Sequence, residues 1–438
     1  MNRVLARNRS ARREDNKLYP EDRAVHDWYR FVLSFPPHLV QDYLQKFGVT
    51  SDQRVLDPFC GTGTVLVECK KQGIPSVGIE ANSIAHFASQ VKVDWSIDPD
   101  YLLEHAQRVA DIALARLRAQ DIEDVTLFHV VHDDNDLRAL PYETLKLLLA
   151  HSISPLPLHK TLILLDCLNE QHNERCSKYE KLALAKALVS SISNLQFGPE
   201  VSVGKAKHDA PVIASWLACV RAMANDVRKL RDRAETPTEV YLADARYPQQ
   251  VLAPQSIDAI ITSPPYPNEK DYTRTTRLES VLLGFINNKA ELQALKRGLL
   301  RSNTRGVYKG DDDDQLVIEH PEIQRIAEEI EARRVELGKT SGFERLYAKV
   351  TRLYFGGMAK HLLELREVLR PGAQLAYVVG DQASYLRIMI PTGQLLADIA
   401  QSLGYELVSI DLFRTRLATA TKQQLREEVV VLRWSGNS

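Results

Sequence analysis

The sequence has no apolar run approaching the roughly 20 residues that a helix needs to cross a bilayer. Its first stretch, Met1 to Lys17, is basic and polar and lacks the apolar segment of a secretory signal. Cysteine is scarce: Cys60, Cys69, Cys167, Cys176 and Cys219 form no Cys-x-x-Cys pair and have no histidines at zinc-ligand spacing. A reduced, cytoplasmic setting without a metal is the expectation. There is no internal repeat. Nor is there an excess of either charge, since 56 Lys and Arg face 57 Asp and Glu, for a formal net charge of −1. The chain is therefore no polycation, and contact with nucleic acid would have to come from a local basic face. What is present, 44% hydrophobic and 26% charged residues in 438, fits one elaborated globular domain or two to three ordinary ones.

The periodicity alternates between helix and strand at both ends and is helical in between. Residues 36–47 (PPHLVQDYLQKF) carry apolar side chains at helical spacing after a Pro-Pro start. RVLDPFCGTGT is a short apolar strand running into a glycine turn, VLVECKKQG a helix stopped by Gly73, and SVGIEAN a second strand ending on an acid. Helical patterns dominate 100–235, with a Gly- and Lys-rich loop, FGPEVSVGKAKHD, between two of them. Strand signals return at EVYLADA and IDAIITSPPY, a charged helical stretch covers roughly 286–345, and AKHLLELREVLRPGA reads as a helix with a Gly-containing stop. QLAYVVGD, ELVSIDLF and EEVVVLRW close the chain as strands.

The expected fold is a mostly parallel, doubly wound α/β sheet of Rossmann-like type, with an antiparallel strand near the C-terminus and two mainly helical insertions. The expected division is a basic flexible arm (1–22), a cofactor-binding part (23–98), a helical insertion (99–236), a catalytic part (237–285), a second insertion (286–349) and the rest of the sheet (350–438).

The glycine turn is specific about its ligand. Gly61 and Gly63 free the backbone to adopt unusual dihedrals and approach a ligand at the carboxyl end of a strand. No third glycine completes a dinucleotide fingerprint, and no Gly-Lys-Ser/Thr forms a phosphate loop. Asp57 at the start of the turn would repel a phosphate but suits a cationic amino-acid head, as S-adenosylmethionine has. Glu80 ends the second strand, where an acid can take both hydroxyls of a ribose, and Asp244 ends another strand, where it can accept from an adenine amine. Any one of these acids alone is as well explained as a helix cap; three at three strand ends are not.

Ser263-Pro264-Pro265-Tyr266 follows the apolar run AIIT. Neither proline can donate to a ladder, so a loop after a strand is the bland reading. The chemical reading begins with an exocyclic base amine, whose lone pair is delocalised into the ring. Acceptors must hold its N–H bonds so that the nitrogen can pyramidalise. The Pro264 carbonyl and the Ser263 side chain are such acceptors, and Tyr266 can stack on the base. A sulfonium leaving group is already activated, so positioning supplies most of the catalysis and no metal is required.

DPFCGTGT together with TSPPY resembles the amino-methyltransferases of DNA, which make N4-methylcytosine and N6-methyladenine, over perhaps half of the chain. SPPYPNEKDYTRTTRLE and LAYVVGD look like the cytosine-N4 type of restriction–modification and related systems. The resemblance implies S-adenosylmethionine as cofactor, held by Asp57, Phe59, Gly61, Gly63, Glu80, Asp244 and Pro36. It implies Ser263, Pro264, Pro265 and Tyr266 as the catalytic set. It also implies double-stranded DNA with a flipped base as substrate, and a cognate restriction endonuclease as a partner. Arg301, Arg305 and Lys309, with Lys205 and Lys207 in the other insertion, are candidates for DNA backbone contact, against the plain alternative of a solvated face. Asp311 to Asp314 form an acidic run with no evident partner. Methylation of adenine N6 and of an RNA base such as guanine N2 are the competing activities. A protein-glutamine methyltransferase would want asparagine at Ser263. A binding relic of the fold is disfavoured by the intact motif set.

Overall fold

The computed structural model describes residues 16–30, 34–124, 136–198, 200–268, 270–417 and 424–436. A seven-stranded sheet runs through it. In chain order its strands are β1 (Val55–Asp57), β2 (Ser76–Glu80), β5 (Thr238–Leu242), β6 (Ile257–Thr262), β7 (Leu369–Gly380), β8 (Glu406–Leu417) and β9 (Gln424–Arg433). A separate hairpin is formed by β3 (Leu195–Phe197) and β4 (Val201–Val203). The order across the large sheet is β5-β2-β1-β6-β7-β9-β8. All neighbours pair in parallel except β9, which runs antiparallel to both β7 and β8. β1 therefore lies mid-sheet, and the order reverses beside it, where chains leave β1 and β6 in opposite directions. Such a switch point opens a crevice at the carboxyl ends of the strands.

Alternation along the strands divides the core. Ala376 and Val378 of β7 face one side with Val55, Ala259 and Ile261, under the helices Pro37–Phe47 and Thr64–Gln72. Leu375, Tyr377 and Val379 face the other, under Tyr347–Leu365 and Thr392–Ser402. The turn residues behave as their chemistry requires. Gly48 and Gly73 take left-handed conformations (φ 63° and 74°) and close their helices.

The first insertion has its own core, built from Pro99–Arg118, Pro155–Glu170, Ser177–Ala187 and Val212–Leu230. That core is continuous with Leu66, Val67, Ala88 and Val91 of the cofactor-binding part. No helix among the described residues is long and apolar enough to cross a membrane, and none of their His, Cys, Asp and Glu side chains cluster as a metal site.

Four expectations change. The Gly- and Lys-rich loop after Leu195 folds back as the β3–β4 hairpin, because Gln196 and Phe197 find partners in Ser202 and Val201. Pro371 and Gly372 do not stop a helix: Tyr347–Leu365 ends earlier, and the pair sits in a bulge of β7 between its pairings with Ile257 and Ala259. The acidic run is not partnerless. Asp311 binds Arg301, and Asp313 binds Arg246 and Lys360. Residues 1–15 of the basic arm lie outside the described residues, while the Tyr19 ring lies 5.3 Å from that of His38, inside the stretch expected to be loose.

The second insertion docks on a glycine pair. A Cβ on Gly356 would lie 1.9 Å from the Asp313 carbonyl oxygen, so only glycine lets the Asp313–Val317 turn seat against this helix. Gly356→Ala is expected to cost about 1–3 kcal/mol of stability through overpacking. Gly310→Ala, where a Cβ meets nothing within 4 Å, should be near neutral. Equal urea midpoints for the two variants would contradict this account.

Candidate active site

A cleft of about 520 Å³ opens at the carboxyl ends of β1, β2, β5 and β6, a volume suited to a cofactor-sized ligand. Phe59, Gly61, Glu80, Asp244, Ser263, Pro264, Pro265 and Tyr266 all line it. The two sequence motifs, some two hundred residues apart, thus share one cavity.

The glycine turn is held from below. Gly61 and Gly63 have φ of 52° and 80°, and a Cβ on Gly63 would come within 3.1 Å of Ser89 Oγ. The Gly61 amide donates to Glu80 Oε2 (2.8 Å), and the Asn82 amide donates to Glu80 Oε1 (2.7 Å). Ser89 Oγ donates to the Gly61 carbonyl (2.7 Å), and the buried Lys92 ammonium donates to the Thr62 carbonyl (2.6 Å). Each oxygen of Glu80 keeps a lone pair for a ligand. Burial raises its carboxyl to about 7, against the lowering pull of the Asn82, Gly61 and Ala81 amides.

Asp57 stands behind the turn, fully buried. Its Oδ1 accepts from Thr262 Oγ1 (2.6 Å) and from the Phe59 amide (3.2 Å). Its Oδ2 has no partner. Burial raises Asp57 to about 7, with Glu80 adding to the rise. Thr262 is the last residue of β6 and precedes Ser263. One hydrogen bond therefore joins the glycine turn to the strand that leads into SPPY.

Asp244 is already engaged: both of its oxygens accept from Arg246, whose far side reaches Asp313 in the second insertion. Phe59 packs edge-on against the His361 ring at 5.0 Å. Burial lowers His361 to about 4, so the ring is neutral. Its Nδ1–H is then free to donate to the Ala245 carbonyl (2.7 Å), and its Nε2 to accept from Tyr377 (2.8 Å).

On the catalytic side, Ser263 Oγ donates to the Val378 carbonyl (3.1 Å). The Tyr266 ring lies against Gly380, where a Cβ would meet it at 3.1 Å. Burial, with Glu427 nearby, keeps the Tyr266 phenol protonated.

Several candidates move. Pro36 is buried at the start of its helix, and its neighbours Ser34 and Phe35 reach the cleft instead. Arg301 lines the cleft but is only 5% exposed, spent on Asp311 and on the carbonyls of Lys296, Arg297 and Leu299. It is an organiser of the second insertion and has no guanidinium face free for a phosphate. Arg305 lies over the Phe343 ring at 5.5 Å. Lys309 and Lys205 are exposed, and Lys207 donates to the Ser191 carbonyl. Sequence reasoning missed Lys92, Arg246, Lys270, Gly380, Arg414, Arg416 and Glu427. Of these only Gly380, in VVGD at a strand end, carried a signal of its own.

The cleft fits an S-adenosylmethionine-like ligand on observations of its own. Thr62 Oγ1 and Asn82 Nδ2 are buried without partners on residues that line it, and Glu80 retains acceptor capacity beside them.

Comparison with known proteins agrees. Residues 6–89 match the N6/N4 family described as DNA methylase. The chain is 25% identical to the type II methyltransferase M.BsoBI of Geobacillus stearothermophilus, over 95% of this chain and 85% of the relative. It is 22% identical to M.AvaI of Anabaena variabilis, over 93% and 84%. A 69-residue stretch is 35% identical to M.MjaII of Methanocaldococcus jannaschii, covering 16% of this chain and 13% of that one. Fold, site and relatives together define a Rossmann-like methyltransferase. The chain is similar to the DNA amino-methyltransferases, and S-adenosylmethionine is the methyl donor that this similarity and the cleft support.

Asp57 gives a signed pH test. Its folded pKa of about 7 lies above the unfolded value near 4, so its contribution is fully present below about pH 4 and is lost as pH rises through about 7. In Asp57→Asn the amide oxygen still accepts from Thr262 and Phe59, and no charge forms. The stability of the cofactor-free variant relative to wild type should therefore rise between about pH 5 and pH 8. A difference that is flat or falls over that window would show Asp57 to be ionised throughout.

Proposed function

We propose that this protein transfers a methyl group from S-adenosylmethionine to the exocyclic N4 amine of cytosine in double-stranded DNA, as the methyltransferase of a restriction–modification or related system with a cognate endonuclease. The observation that carries the reading is the Asp57–Thr262 hydrogen bond, which holds an S-adenosylmethionine-type glycine turn against SPPY at one cleft.

The cofactor supplies an activated methyl group; the chain does the rest. Phe59, Gly61, Glu80 and Asp244, which line the cleft, are assigned to holding it, with Phe35 in place of Pro36; Asp57 and Gly63 do not line the cleft and shape the turn from behind. Ser263 spends its proton on the Val378 carbonyl and also hydrogen-bonds the Tyr266 side chain, so one lone pair remains to accept from the amine. The Pro264 carbonyl, on a ring-fixed backbone, accepts the second amine hydrogen. With both N–H bonds held, the nitrogen can pyramidalise towards the methyl carbon; as the C–N bond formed, the C–S bond would break to leave a neutral thioether, and the surplus amine proton would pass to water. Tyr266, neutral and braced by Gly380, offers its ring to the base. A target inside a duplex must leave the stack to reach this cleft, and its flanking phosphates must be gripped while it does. Exposed Lys309 and Lys205 remain candidates for that grip.

The choice of cytosine rests on Ser263 in TSPPY, in the form that resembles the cytosine-N4 enzymes. The relatives named above are type II methyltransferases whose target base their names do not give.

The chain should be expressed in a methylation-free host and the genomic DNA digested to nucleosides for mass spectrometry. N4-methylcytosine is expected. N6-methyladenine alone would overturn the base, and no modified base together with methylated RNA would overturn the DNA reading. Tyr266→Ala should reduce methyl transfer by the loss of stacking worth about 1–3 kcal/mol, with cofactor affinity unchanged. Wild-type rates at limiting DNA would remove Tyr266 from the site.

A further inference from the structure

Beyond Gly380 the sheet narrows to a ribbon. β7 pairs with β9 only as far as Gly380 with Glu427, whereas β8 and β9 continue pairing to Leu417 and Gln424. This two-stranded extension passes the carboxyl edge of the parallel strands, and Arg414, Arg416 and Glu427 on it line the cleft. Lys270, four residues after Tyr266, lines the same rim.

The charges at this rim do not balance. Glu427 is shared by Arg414 Nε (2.5 Å) and Arg416 Nε (3.4 Å). The second contact is an ion pair by distance only, because Arg416 Nε is buried with no hydrogen-bond partner. The Lys270 ammonium makes no ion pair among the described residues. Glu200 is held by Arg274 at 3.8 Å, and Asp271 by Lys296 at 2.8 Å. Arg416 also donates through Nη2 to the Asp381 carbonyl (3.0 Å) and lies near the Asp381 carboxyl, which burial raises, so Lys270, Arg414 and Arg416 are three cations against Glu427 and a partly neutralised Asp381. Burial and the neighbouring Arg416 both push Lys270 below its ordinary pKa, and an arriving anion would relieve both. Tyr266 and Glu427 both pack on Gly380, so this excess charge borders the ring assigned to the base.

We propose that Lys270 and Arg416 form the seat of a backbone phosphodiester next to the extruded nucleotide. A phosphodiester carries a single negative charge and two free oxygens. It can take the lysine ammonium from the SPPY side of the cleft and the unsatisfied Arg416 N–H from the ribbon, so that strand and catalytic loop grip the same nucleotide. The proposal rests on the DNA reading above; it gives a role to Lys270 of the SPPYPNEKDYTRTTRLE run and adds Arg416, which lies outside the motifs.

The test uses the full chain and duplex DNA containing its target. Lys270→Gln keeps the side-chain length and removes the charge. Its DNA affinity should fall, and the slope of log affinity against log salt should shrink by about 0.9, while Lys270→Arg keeps the wild-type slope. In a series of duplexes with single methylphosphonates around the target, one flanking position should weaken wild type more than it weakens Lys270→Gln, in which only Arg416 still meets that phosphate. Cofactor calorimetry on each variant reports on folding. If wild type methylates DNA but Lys270→Gln keeps its salt slope, or every methylphosphonate penalises both proteins equally, the phosphate seat is wrong and the activity stands. If wild type transfers no methyl group to DNA, both fall.

Discussion

The hydrogen bond from Thr262 to Asp57 is the constraint on which the rest of the site depends. It is made inside the protein, between the ends of two adjacent parallel strands that the chain reaches some two hundred residues apart. A buried carboxylate with one oxygen unpartnered is costly to maintain, and the surroundings show how it is retained. The Phe59 amide donates to the same oxygen, and proton uptake near neutral pH spares the group a permanent buried charge. In return, the register of β1 against β6 sets the distance between the glycine turn and SPPY. A residue slip in that pairing would invert the faces of β6 and remove Thr262 from Asp57. The placement of the two motifs is in this sense one variable.

A second network ties the insertion to the same centre. Arg246 bridges Asp244 at a strand end to Asp313 in the second insertion, with Lys360 on the far side of Asp313. Removing one member would leave a charge uncompensated in a largely buried setting, which is destabilising out of proportion to the pair's own net worth. The turn that carries Asp313 seats on Gly356, so shape and charge agree on where the insertion docks. The insertion is therefore part of the wall of the cleft, as Leu300, Arg301 and Asn303 lining it also indicate.

What was legible in the sequence was local. DPFCGTGT declared a positive-φ turn at a strand end, and Gly61 and Gly63 adopt it; β1, β2, β6 and β9 were visible as short apolar runs. What was illegible depended on direction. Arg301 reads as a free cation in a basic cluster, yet it points inward to Asp311 and three carbonyls. Asp313 reads as part of an unpaired acidic run, yet its partner lies 67 residues away. Pro36 and Phe35 are adjacent and only one of them reaches the cleft. Hydrophobic periodicity reports which face of an element is buried; it does not report where a long charged side chain turns, because that is settled by neighbours that only tertiary structure supplies.

The same point explains how a chain with a net charge of −1 can serve two ligands of opposite charge. The acids of the site lie on its floor: Asp57 behind the turn, Glu80 beneath Gly61, and Asp244 beside Arg246. The cations Lys270, Arg414 and Arg416 lie on its rim. A low-dielectric cleft strengthens each local field relative to bulk water. With Asp57 and Glu80 raised to about 7 and Asp244 paired with Arg246, the floor gains negative charge as pH rises through neutrality, and it then favours a cationic sulfonium and an ammonium head. The rim favours a polyanion and repels the cofactor. Under the proposed reaction the two substrates need no gate to sort them. On that proposal each is directed by the sign of its charge, and Ser263 and Pro264, as neutral acceptors, would bias neither.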